Sequence, residues 1–312
     1  MGFRRPPIPP RRAEGIRYIR SDGKPEFTTR VHEKPGDLML LAKRPVVTST
    51  PTTPLSDTMK IMVSTGRRRV PIVTADMSLV GIVVATDIVN YFGGGEYYNI
   101  LINKHGRNFL SAINEPTSTI MTRDVIYAYV DEKITDALER MLKYDIGALP
   151  ILTKDNKLYG MITERDIVNY LMEKHIGVKV SDIMSTNVVS VNIDATLGYT
   201  AKLMIKYGFR RLPVVRQQYV EGIVTTMDIV KNFITGKILE YAPSGLMNDI
   251  LNVKIKTIMT SRVITIEPDA DIGDAATKMI NENVGALLVV EDNLLKGIIT
   301  ERDILLALSI KR

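Results

Sequence analysis

The stretch Gly160-Met-Ile-Thr-Glu-Arg-Asp-Ile167 returns near the C-terminus as Gly297-Ile-Ile-Thr-Glu-Arg-Asp-Ile304. In both copies an apolar run ends in a threonine, and an aspartate three residues later opens a second apolar run, which predicts a strand, a tight turn and a helix. The frame occurs twice more, as Gly222-Ile-Val-Thr-Thr-Met-Asp228 and, less completely, as Gly81-Ile-Val-Val-Ala-Thr-Asp87. The chain is therefore predicted to contain four copies of one structural unit.

The composition is that of an ordinary globular protein, and it excludes several kinds of chemistry. Of the 312 residues, 45% are hydrophobic and 24% are charged, and cysteine is absent. The chain can therefore form no disulfide, no thiolate zinc site and no cysteine nucleophile. It begins with no apolar targeting segment, and no apolar run approaches the roughly 20 residues that span a bilayer. We expect a cytoplasmic protein that makes no membrane contact.

The formal charge of +6 is concentrated in the N-terminal part of the chain. Residues 1–44 hold 11 Lys/Arg and 5 Asp/Glu, so the remainder is neutral. Residues 1–12 combine arginine with proline and are expected to be extended, and residues 16–31 have the pattern of a short hairpin. We treat residues 1–39 as a basic tail with this hairpin. The tail is either simply solvated or a contact for an acidic partner or for nucleic acid.

Each copy shows the same order of predicted elements: strand, helix, strand, strand, helix. In the first copy the opening strand is expected at Val46-Val-Thr48, followed by a helix that carries Leu55, Met59 and Met62 on one face. In the second copy the opening strand is expected at Val125-Ile-Tyr-Ala-Tyr129, and the last helix is expected to begin at Ile167.

Long inserts after the first and third copies divide the chain into two halves. Both inserts exceed the usual length of a connection in a compact domain, whereas little more than His175-Ile-Gly177 joins the second copy to the third. We therefore predict two modules in which the copies pair in order. The first module is 40–174, with copies at about 40–92 and 120–174 and an insert at 93–119; the second is 178–312, with copies at about 180–235 and 255–312 and an insert at 236–254.

Basic doublets distinguish the first and third copies from the others. Arg68-Arg69 and Arg210-Arg211 precede the middle strand there, where the second and fourth copies have Gly147-Ala and Gly285-Ala. Cations at the end of the preceding helix would be favoured by its dipole by about 0.3–1 kcal/mol, which is one explanation. The other explanation is anion binding. Successive strand residues face opposite sides, so one arginine of each pair would face inward, where it needs an anion.

The Thr-x-x-Asp motifs also have two explanations. Thr163 with Asp166, Thr225 with Asp228 and Thr300 with Asp303 each place a hydroxyl, a carboxylate and backbone N–H groups at a helix start, which suits a ribose and its phosphate. The same spacing is close to a capping box, which stabilises a helix by about 1 kcal/mol without any ligand. In the first copy Val84 replaces the threonine and Thr86 is out of frame, so the Asp87 site is expected to be the weakest or empty.

A unit of about 60 residues with this order of elements, an Ile-Met-Thr or Ile-Met-Ser opening and a Gly-apolar-apolar-Thr-x-x-Asp ending resembles the cystathionine-β-synthase (CBS) domain. The openings are Ile120-Met-Thr, Ile183-Met-Ser and Ile258-Met-Thr. The resemblance extends from about residue 40 to 312. It implies an α/β fold of tandem CBS repeats, arranged as two pseudo-twofold CBS-pair (Bateman) modules that form a disc. Four copies with arginine doublets in the first and third are similar to the gamma subunit of AMP-activated protein kinase.

The resemblance implies that AMP, ADP or ATP binds as a regulatory ligand in clefts between repeats. The aspartate would hold the ribose, the threonine would lie near the phosphate, basic residues would contact phosphate and backbone groups near three valines would recognise adenine. The ribose and phosphate residues would be Thr163, Asp166, Thr225, Asp228, Thr300, Asp303 and Asp87. The phosphate-binding residues would be Arg68, Arg69, Arg210, Arg211, Arg165 and Arg302, and the adenine-pocket residues Val125, Val188 and Val263.

We predict a non-catalytic adenine-nucleotide sensor that changes the activity of a partner, a kinase or a metabolic enzyme, through ligand-dependent arrangement of its repeats. The inserts and the tail are the candidate partner surfaces, and a homodimer is a further expectation. Three alternatives remain: a regulator that binds nucleic acid through the tail, a sensor of S-adenosylmethionine and a scaffold without ligand. No catalytic motif is recognisable, and His32, His105 and His175 lack metal-ligand spacing, so no catalytic residue, catalytic cofactor or metal is predicted.

Overall fold

The computed structural model describes residues 37–171 and 176–308. The expected extended tail 1–12 and the hairpin at 16–31 lie outside these residues. The described chain packs into two compact units. Unit 1 comprises Val47–Val125 and Val189–Arg262, and unit 2 comprises residues 37–46, the described part of Ile126–Val188 and residues 263–308.

The four repeats and the two inserts contain the following helices and strands. The first repeat and its insert contain α1 (Asp37–Leu41), α2 (Leu55–Thr65), β1 (Arg69–Val73), β2 (Leu79–Val84), α3 (Ala85–Phe92), α4 (Tyr98–His105), α5 (Phe109–Ala112) and a 3₁₀ turn at Thr117–Thr119. The second contains β3 (Ala128–Tyr129), α6 (Ile134–Lys143), β4 (Ala148–Leu152), β5 (Leu158–Thr163) and α7 (Glu164–Leu171). The third and its insert contain α8 (Val180–Ile183), β6 (Val191–Asn192), α9 (Leu197–Tyr207), β7 (Arg211–Arg216), β8 (Tyr219–Thr225), α10 (Thr226–Ile234), α11 (Lys237–Tyr241), α12 (Met247–Asn252) and a 3₁₀ turn at Ile255–Thr257. The fourth contains β9 (Thr265–Ile266), α13 (Ile272–Asn281), β10 (Ala286–Glu291), β11 (Leu294–Thr300) and α14 (Glu301–Leu308).

The predicted α/β class is confirmed, and repeats two, three and four show the predicted order strand, helix, strand, strand, helix. The helix α2 begins after Pro54 and ends at Gly66, whose φ of 65° is the left-handed conformation that glycine adopts without strain. The predicted apolar face of α2, formed by Leu55, Met59 and Met62, is fully buried. Spacing of apolar residues along a helix therefore placed this element correctly.

The opening strands are shorter than expected. In the first repeat the strand expected at Val46–Thr48 is reduced to a single bridge between Ser49 and Ile72, and in the second only Ala128–Tyr129 is paired. In the second repeat the Val125 N–H donates to the Arg123 carbonyl oxygen at 2.9 Å, so the chain turns locally there instead of extending the strand. The last helix of the second repeat begins at Glu164, three residues before the expected Ile167, because Thr163 is already the capping residue.

The last two strands of every repeat form an antiparallel hairpin, namely β1 with β2, β4 with β5, β7 with β8 and β10 with β11. Where an opening strand exists it pairs in parallel with the middle strand, as β3 does with β4, β6 with β7 and β9 with β10. The hairpin delivers the chain to the start of the last helix, where the Thr-x-x-Asp motif lies.

The core of unit 1 joins the first and third repeats. Phe92 of α3, Phe109 of the first insert and Phe233 of α10 form a cluster in which neighbouring ring centroids are 5.2–5.3 Å apart. All three side chains are buried, and α10 packs against α2 and α3. Aromatic burial of this size makes the cluster a major source of stability for unit 1.

The core of unit 2 joins the second and fourth repeats through aliphatic side chains. The helix α7 packs against α14, and Ile167, Ile304 and Leu305 are buried in the same cluster as Leu38 of α1. The short helix α1 therefore contributes to unit 2, although it precedes the first repeat.

The compact units combine alternate repeats. Most of repeats one and three lies in unit 1, and most of repeats two and four lies in unit 2. The modules predicted from the sequence, 40–174 and 178–312, combine consecutive repeats instead. That grouping and the disc arrangement stay predictions.

Candidate functional site

The three complete Thr-x-x-Asp motifs have the same geometry at a helix start. The backbone N–H and the hydroxyl of Thr225 both donate to Asp228 Oδ2, each at 2.7 Å. The corresponding distances are 2.9 and 2.7 Å from Thr163 to Asp166, and 2.9 and 2.7 Å from Thr300 to Asp303. The capping explanation is thus confirmed for these motifs. The cap uses only one oxygen of each carboxylate, so the ligand-binding explanation is compatible with it and stays a prediction.

The first repeat keeps half of this arrangement. The backbone N–H of Val84 donates to Asp87 Oδ2 at 2.8 Å, but valine has no hydroxyl to add the second hydrogen bond. Asp87 is buried. The expected weakness of the Asp87 site stays a prediction.

The opening segment of each repeat contacts the last strand of another repeat. We call residues 41–43, 120–122, 183–185 and 258–260 the opening segments. Each one forms an isolated two-residue bridge: Lys43 with Met161, Thr122 with Ile82, Ser185 with Ile298 and Thr260 with Ile223. Repeats one and two therefore exchange their opening segments, and so do repeats three and four.

A glycine in each last strand permits this close approach. A Cβ atom built on Gly222 would lie 2.8 Å from the Thr260 carbonyl oxygen and 2.9 Å from the Met259 sulfur. On Gly160 it would lie 2.8 Å from Ala42 Cβ. Real Cβ atoms do not approach other heavy atoms so closely, so the glycine of the Gly-apolar-apolar-Thr-x-x-Asp motif is required by the opening segment packed on it.

Two opening segments also reach the second oxygen of the capping carboxylate. The Thr260 hydroxyl donates to Asp228 Oδ1 at 3.2 Å. The Lys43 ammonium nitrogen lies 3.8 Å from Asp166 Oδ1. Each of these candidate sites is therefore built from the motif of one repeat and the opening segment of another, a juxtaposition that motif spacing alone did not reveal.

The arginine doublets lie beside the motif of their own repeat. Arg211 is directly opposite Thr225 in the β7–β8 hairpin, and Arg69 is directly opposite Val84 in the β1–β2 hairpin. Directly opposite residues project on the same face of a hairpin. The carbonyl oxygen of Arg210 accepts a hydrogen bond from the first N–H of α10 at 2.9 Å. All four arginines are partly exposed, and their predicted contact with phosphate stays a prediction.

Arg165 and Arg302 take part in reciprocal ion pairs within unit 2. Arg165 Nε donates to Glu301 Oε1 at 2.5 Å, and Arg302 Nε donates to Glu164 Oε1 at 2.5 Å. Both glutamates are buried. Arg165 also donates to Asn283, and Arg302 pairs with Asp145. These arginines have a structural role that the sequence did not indicate, and their proposed phosphate role stays a prediction.

The three valines predicted to lie near adenine occupy equivalent positions, each three residues after the Thr or Ser that ends an opening segment. Val125, Val188 and Val263 are partly exposed, and each is the first or last residue of a chain segment that belongs to one compact unit. Their contact with adenine stays a prediction.

His105 belongs to a cluster that anchors the first insert. Its ring donates to or accepts from Ser111 at 2.7 Å and contacts the buried Glu115 at 2.9 Å. Burial alone would raise the pKa of Glu115, but hydrogen bonds from Thr119 and His105 and the charge of Lys104 outweigh it, so the pKa is lowered. The insert is therefore held by an ionised carboxylate.

The two inserts of unit 1 lie side by side. Asn108 forms a bridge with Leu246, and the Phe109 N–H donates to the Gly245 carbonyl oxygen at 2.9 Å. Leu110 and Leu246 are exposed beside this junction. The inserts are folded rather than loose, and their role as partner surfaces stays a prediction.

Residues 37–171 and 176–308 contain neither a candidate metal site nor a candidate membrane-spanning helix. No group of three or more His, Cys, Asp or Glu side chains in that part of the chain is arranged to hold a metal ion. None of the helices described there combines the length and the apolar character needed to cross a bilayer.

The four repeats match a known class of protein domain. The CBS domain model matches residues 36–94, 118–173, 180–235 and 255–310, so the chain belongs to the CBS-domain family. Proteins built from CBS pairs are commonly regulatory and generally non-catalytic.

Proteins of similar length resemble most of this chain. The uncharacterized protein MJ1225 of Methanocaldococcus jannaschii is 36% identical over 86% of this chain and 97% of its own length. Its crystal structure superimposes with a TM-score of 0.81, covering 86% of this chain and 98% of that one, and it is described as a suggested archaeal homologue of g-AMPK. An uncharacterized 33.4 kDa protein of Thermofilum pendens is 28% identical over 80% of this chain and 84% of its own. A conserved protein of Pyrococcus horikoshii, 22% identical over 86% of this chain and 97% of that one with a TM-score of 0.55, shares the fold.

Proposed function

We propose that this protein is a non-catalytic regulatory protein that binds adenine nucleotides, AMP, ADP or ATP, at its Thr-x-x-Asp motifs. Binding would change the arrangement of the repeats and thereby the surface that a regulated partner contacts. MJ1225 supports a role of this kind, because it is similar over most of both chains and is described in relation to g-AMPK.

The contact between Asp228 and Thr260 carries the proposal. Asp228 Oδ2 holds the start of α10, while Oδ1 accepts from a residue of the next repeat. Neighbouring hydroxyls of a ribose are donors of the kind that Oδ1 already accepts from Thr260. A nucleoside bound there would contact two repeats at once. Such a ligand can favour one arrangement of the repeats over another.

A phosphate attached to that ribose would find two favourable partners. The N-terminus of α10 presents backbone N–H groups and the positive end of the helix dipole. Arg211 lies opposite Thr225 on the same face of the hairpin, and a guanidinium can hold phosphate with two parallel hydrogen bonds. These groups favour phosphorylated ligands over S-adenosylmethionine.

Calorimetric titration of the full chain with AMP, ADP, ATP, adenosine and S-adenosylmethionine tests the proposal. Asp228→Asn and Asp303→Asn keep an oxygen that can cap the helix but replace the other carboxylate oxygen with a donor. We expect each to weaken AMP binding at one site by about tenfold or more, because a hydrogen bond to a charged group contributes roughly 1.5–3 kcal/mol. Melting temperature should change little.

Asp136→Asn is the matched control. Asp136 accepts from the backbone N–H of Lys133 at the start of α6, so it makes the same backbone capping bond without belonging to a Thr-x-x-Asp motif. Its substitution should leave nucleotide binding unchanged. Absence of saturable binding by every nucleotide, together with an unchanged melting temperature at millimolar ligand, would leave the motifs as helix caps and refute the proposal.

A further inference from the structure

The four Thr-x-x-Asp positions differ in the cation that the hairpin supplies. Arg69 and Arg211 begin the middle strand in repeats one and three, opposite the first residue of the motif. At the same register in repeats two and four the residues are Ala148 and Ala286, opposite Thr163 and Thr300. The even repeats therefore lack an arginine at this place.

One opening segment supplies a cation where the other three supply a hydroxyl. Thr122, Ser185 and Thr260 each bridge to the last strand of another repeat through a residue with a hydroxyl. The fourth equivalent residue is Lys43, which exchanges backbone hydrogen bonds with Met161 at 2.8 and 3.2 Å. Lysine thus stands beside the Asp166 motif, where the other motifs have a threonine or a serine.

The geometry directs the Lys43 ammonium to the candidate site. Its nitrogen is 3.8 Å from Asp166 Oδ1, the oxygen that the helix cap does not use. The Lys43 side chain is 66% exposed whereas that of Asp166 is 10% exposed, so the lysine is the partner that can move. Arg165, the nearest arginine in sequence, is engaged with the buried Glu301.

We infer that Lys43 is a phosphate-binding, specificity-determining residue of the Asp166 site. The inference rests on the proposed function, because it presumes a nucleotide at this motif. Without ligand the ammonium balances the Asp166 carboxylate. When ribose hydroxyls donate to Oδ1, the ammonium turns on its four-carbon stem to the phosphate of the same ligand. Lys43 thereby replaces the arginine that repeat two lacks.

This arrangement gives the Asp166 and Asp303 sites different preferences. Both lack a hairpin arginine, but the Asp303 site has Ser185 where the Asp166 site has Lys43. The Asp166 site should therefore distinguish phosphorylated nucleotides from adenosine more strongly than the Asp303 site does.

The test isolates one site and changes only the lysine. In a full-length background carrying Asp87→Asn, Asp228→Asn and Asp303→Asn, titration with ATP, AMP and adenosine reports on the Asp166 site. We expect Lys43→Ser to weaken ATP and AMP binding by about tenfold, the effect of one lost charge-assisted hydrogen bond, and adenosine binding by less than about twofold. In a matching background that retains only Asp303, Ser185→Lys should strengthen ATP binding more than adenosine binding.

Lys154→Ser is the charge-matched control. Lys154 belongs to the same repeat as Asp166 and forms an exposed pair with Asp131 at 3.2 Å, so its loss should leave all three affinities unchanged. Adding Asp166→Asn to the background should abolish the effect of Lys43→Ser.

The outcomes separate the two levels of inference. If the parent chain binds no nucleotide, the proposed function fails. If the parent chain binds but Lys43→Ser weakens ATP and adenosine equally or not at all, only the role of Lys43 is overturned. Tighter binding of every ligand by Lys43→Ser would also overturn it, because Lys43 would then compete with the ligand for Asp166 Oδ1.

Discussion

Asp228 shows how one side chain can serve the fold and a ligand site together. One carboxylate oxygen accepts two hydrogen bonds from Thr225, and the other accepts from Thr260 of another repeat. The capping bonds fix the carboxylate in place before any ligand arrives. A ligand that used Oδ1 would therefore meet a preorganised acceptor, which reduces the entropy lost on binding.

At the residue scale we predict a charge-specific role for Arg211. Arg211→Ala should weaken ATP and AMP binding by about tenfold, since one charge-assisted contact with phosphate is lost, and adenosine binding by less than about twofold. Arg210→Ala should have a smaller effect, because adjacent strand residues project on opposite faces. Calorimetry of each variant with the three ligands measures the difference.

Arg216→Ala is the control for this prediction. Arg216 ends the same strand and pairs with Glu221 at 3.0 Å on the exposed surface. Its loss should leave all three affinities unchanged. An equal loss for ATP and adenosine in Arg211→Ala would show that the arginine supports the hairpin rather than the phosphate.

The residues of the site differed in how well the sequence indicated them. The Thr-x-x-Asp spacing was readable because a helix cap is a local feature, formed by residues three apart. Lys43 was not indicated, because the first repeat has Leu41-Ala-Lys where the other repeats open with Ile-Met-Thr or Ile-Met-Ser. Its relation to Asp166 appears only when the bridge to Met161 is known.

At the element scale the opening segments are the contacts that the sequence did not indicate. Each forms a single bridge to a strand far away in sequence, such as Ile82 with Thr122. A one-residue pairing leaves no alternating pattern, so the sequence did not indicate these contacts. The helices were easier to predict because their apolar faces repeat within the element, as in α2 and α6.

The helix starts of the two units use different chemistry at the same position. In unit 2, Glu164-Arg165 and Glu301-Arg302 form crossed ion pairs between repeats two and four. In unit 1 the equivalent residues are Ala85-Thr86 and Thr226-Met227, of which Ala85 and Thr226 are buried. The ion pairs are therefore a particular feature of unit 2 and are not required by the fold.

At the element scale we predict that breaking one ion pair costs more than removing both. Arg165→Met leaves the buried Glu301 without this partner and should lower the free energy of unfolding by about 3–5 kcal/mol. Replacing Glu164-Arg165 and Glu301-Arg302 with the Ala-Thr and Thr-Met dipeptides of unit 1 removes the buried charges as well. This four-residue replacement should lower the free energy of unfolding by less than the single substitution does. Calorimetric melting of both variants measures this.

Lys154→Met provides the matched surface control. Its pair with Asp131 is exposed, so the free energy of unfolding should change by no more than about 1 kcal/mol. If the four-residue replacement were less stable than Arg165→Met, the crossed pairs would be a net source of stability.

At the scale of the whole molecule, the exchange of opening segments links repeats that are neighbours in sequence. The first repeat depends on Thr122 and the second on Lys43, while the third depends on Thr260 and the fourth on Ser185. A ligand held by a motif and an opening segment would therefore stabilise two repeats together. That coupling is what a regulatory protein needs if a small molecule is to alter a surface elsewhere.

We predict that AMP protects the opening segments from amide hydrogen exchange. The N–H groups of Thr122, Ser185 and Thr260 donate to the last strands of other repeats at 2.9 Å, so they exchange when these bridges open. If opening also releases the ligand, a concentration of 100 times Kd should slow the exchange by about 100-fold. Asp228→Asn should abolish the protection at Thr260 and leave that at Ser185.

The control is the Gly106 N–H, which donates to the Ile102 carbonyl oxygen at the end of α4. It should exchange at the same rate with and without AMP.

The decisive comparison is between the amide exchange rates at Thr260 and at the start of α10. Protection at both would mean that AMP spans two repeats and can bias their arrangement. Protection at the start of α10 without any at Thr260 would mean that AMP is held by one repeat, and a ligand with no differential contact between arrangements cannot shift their populations.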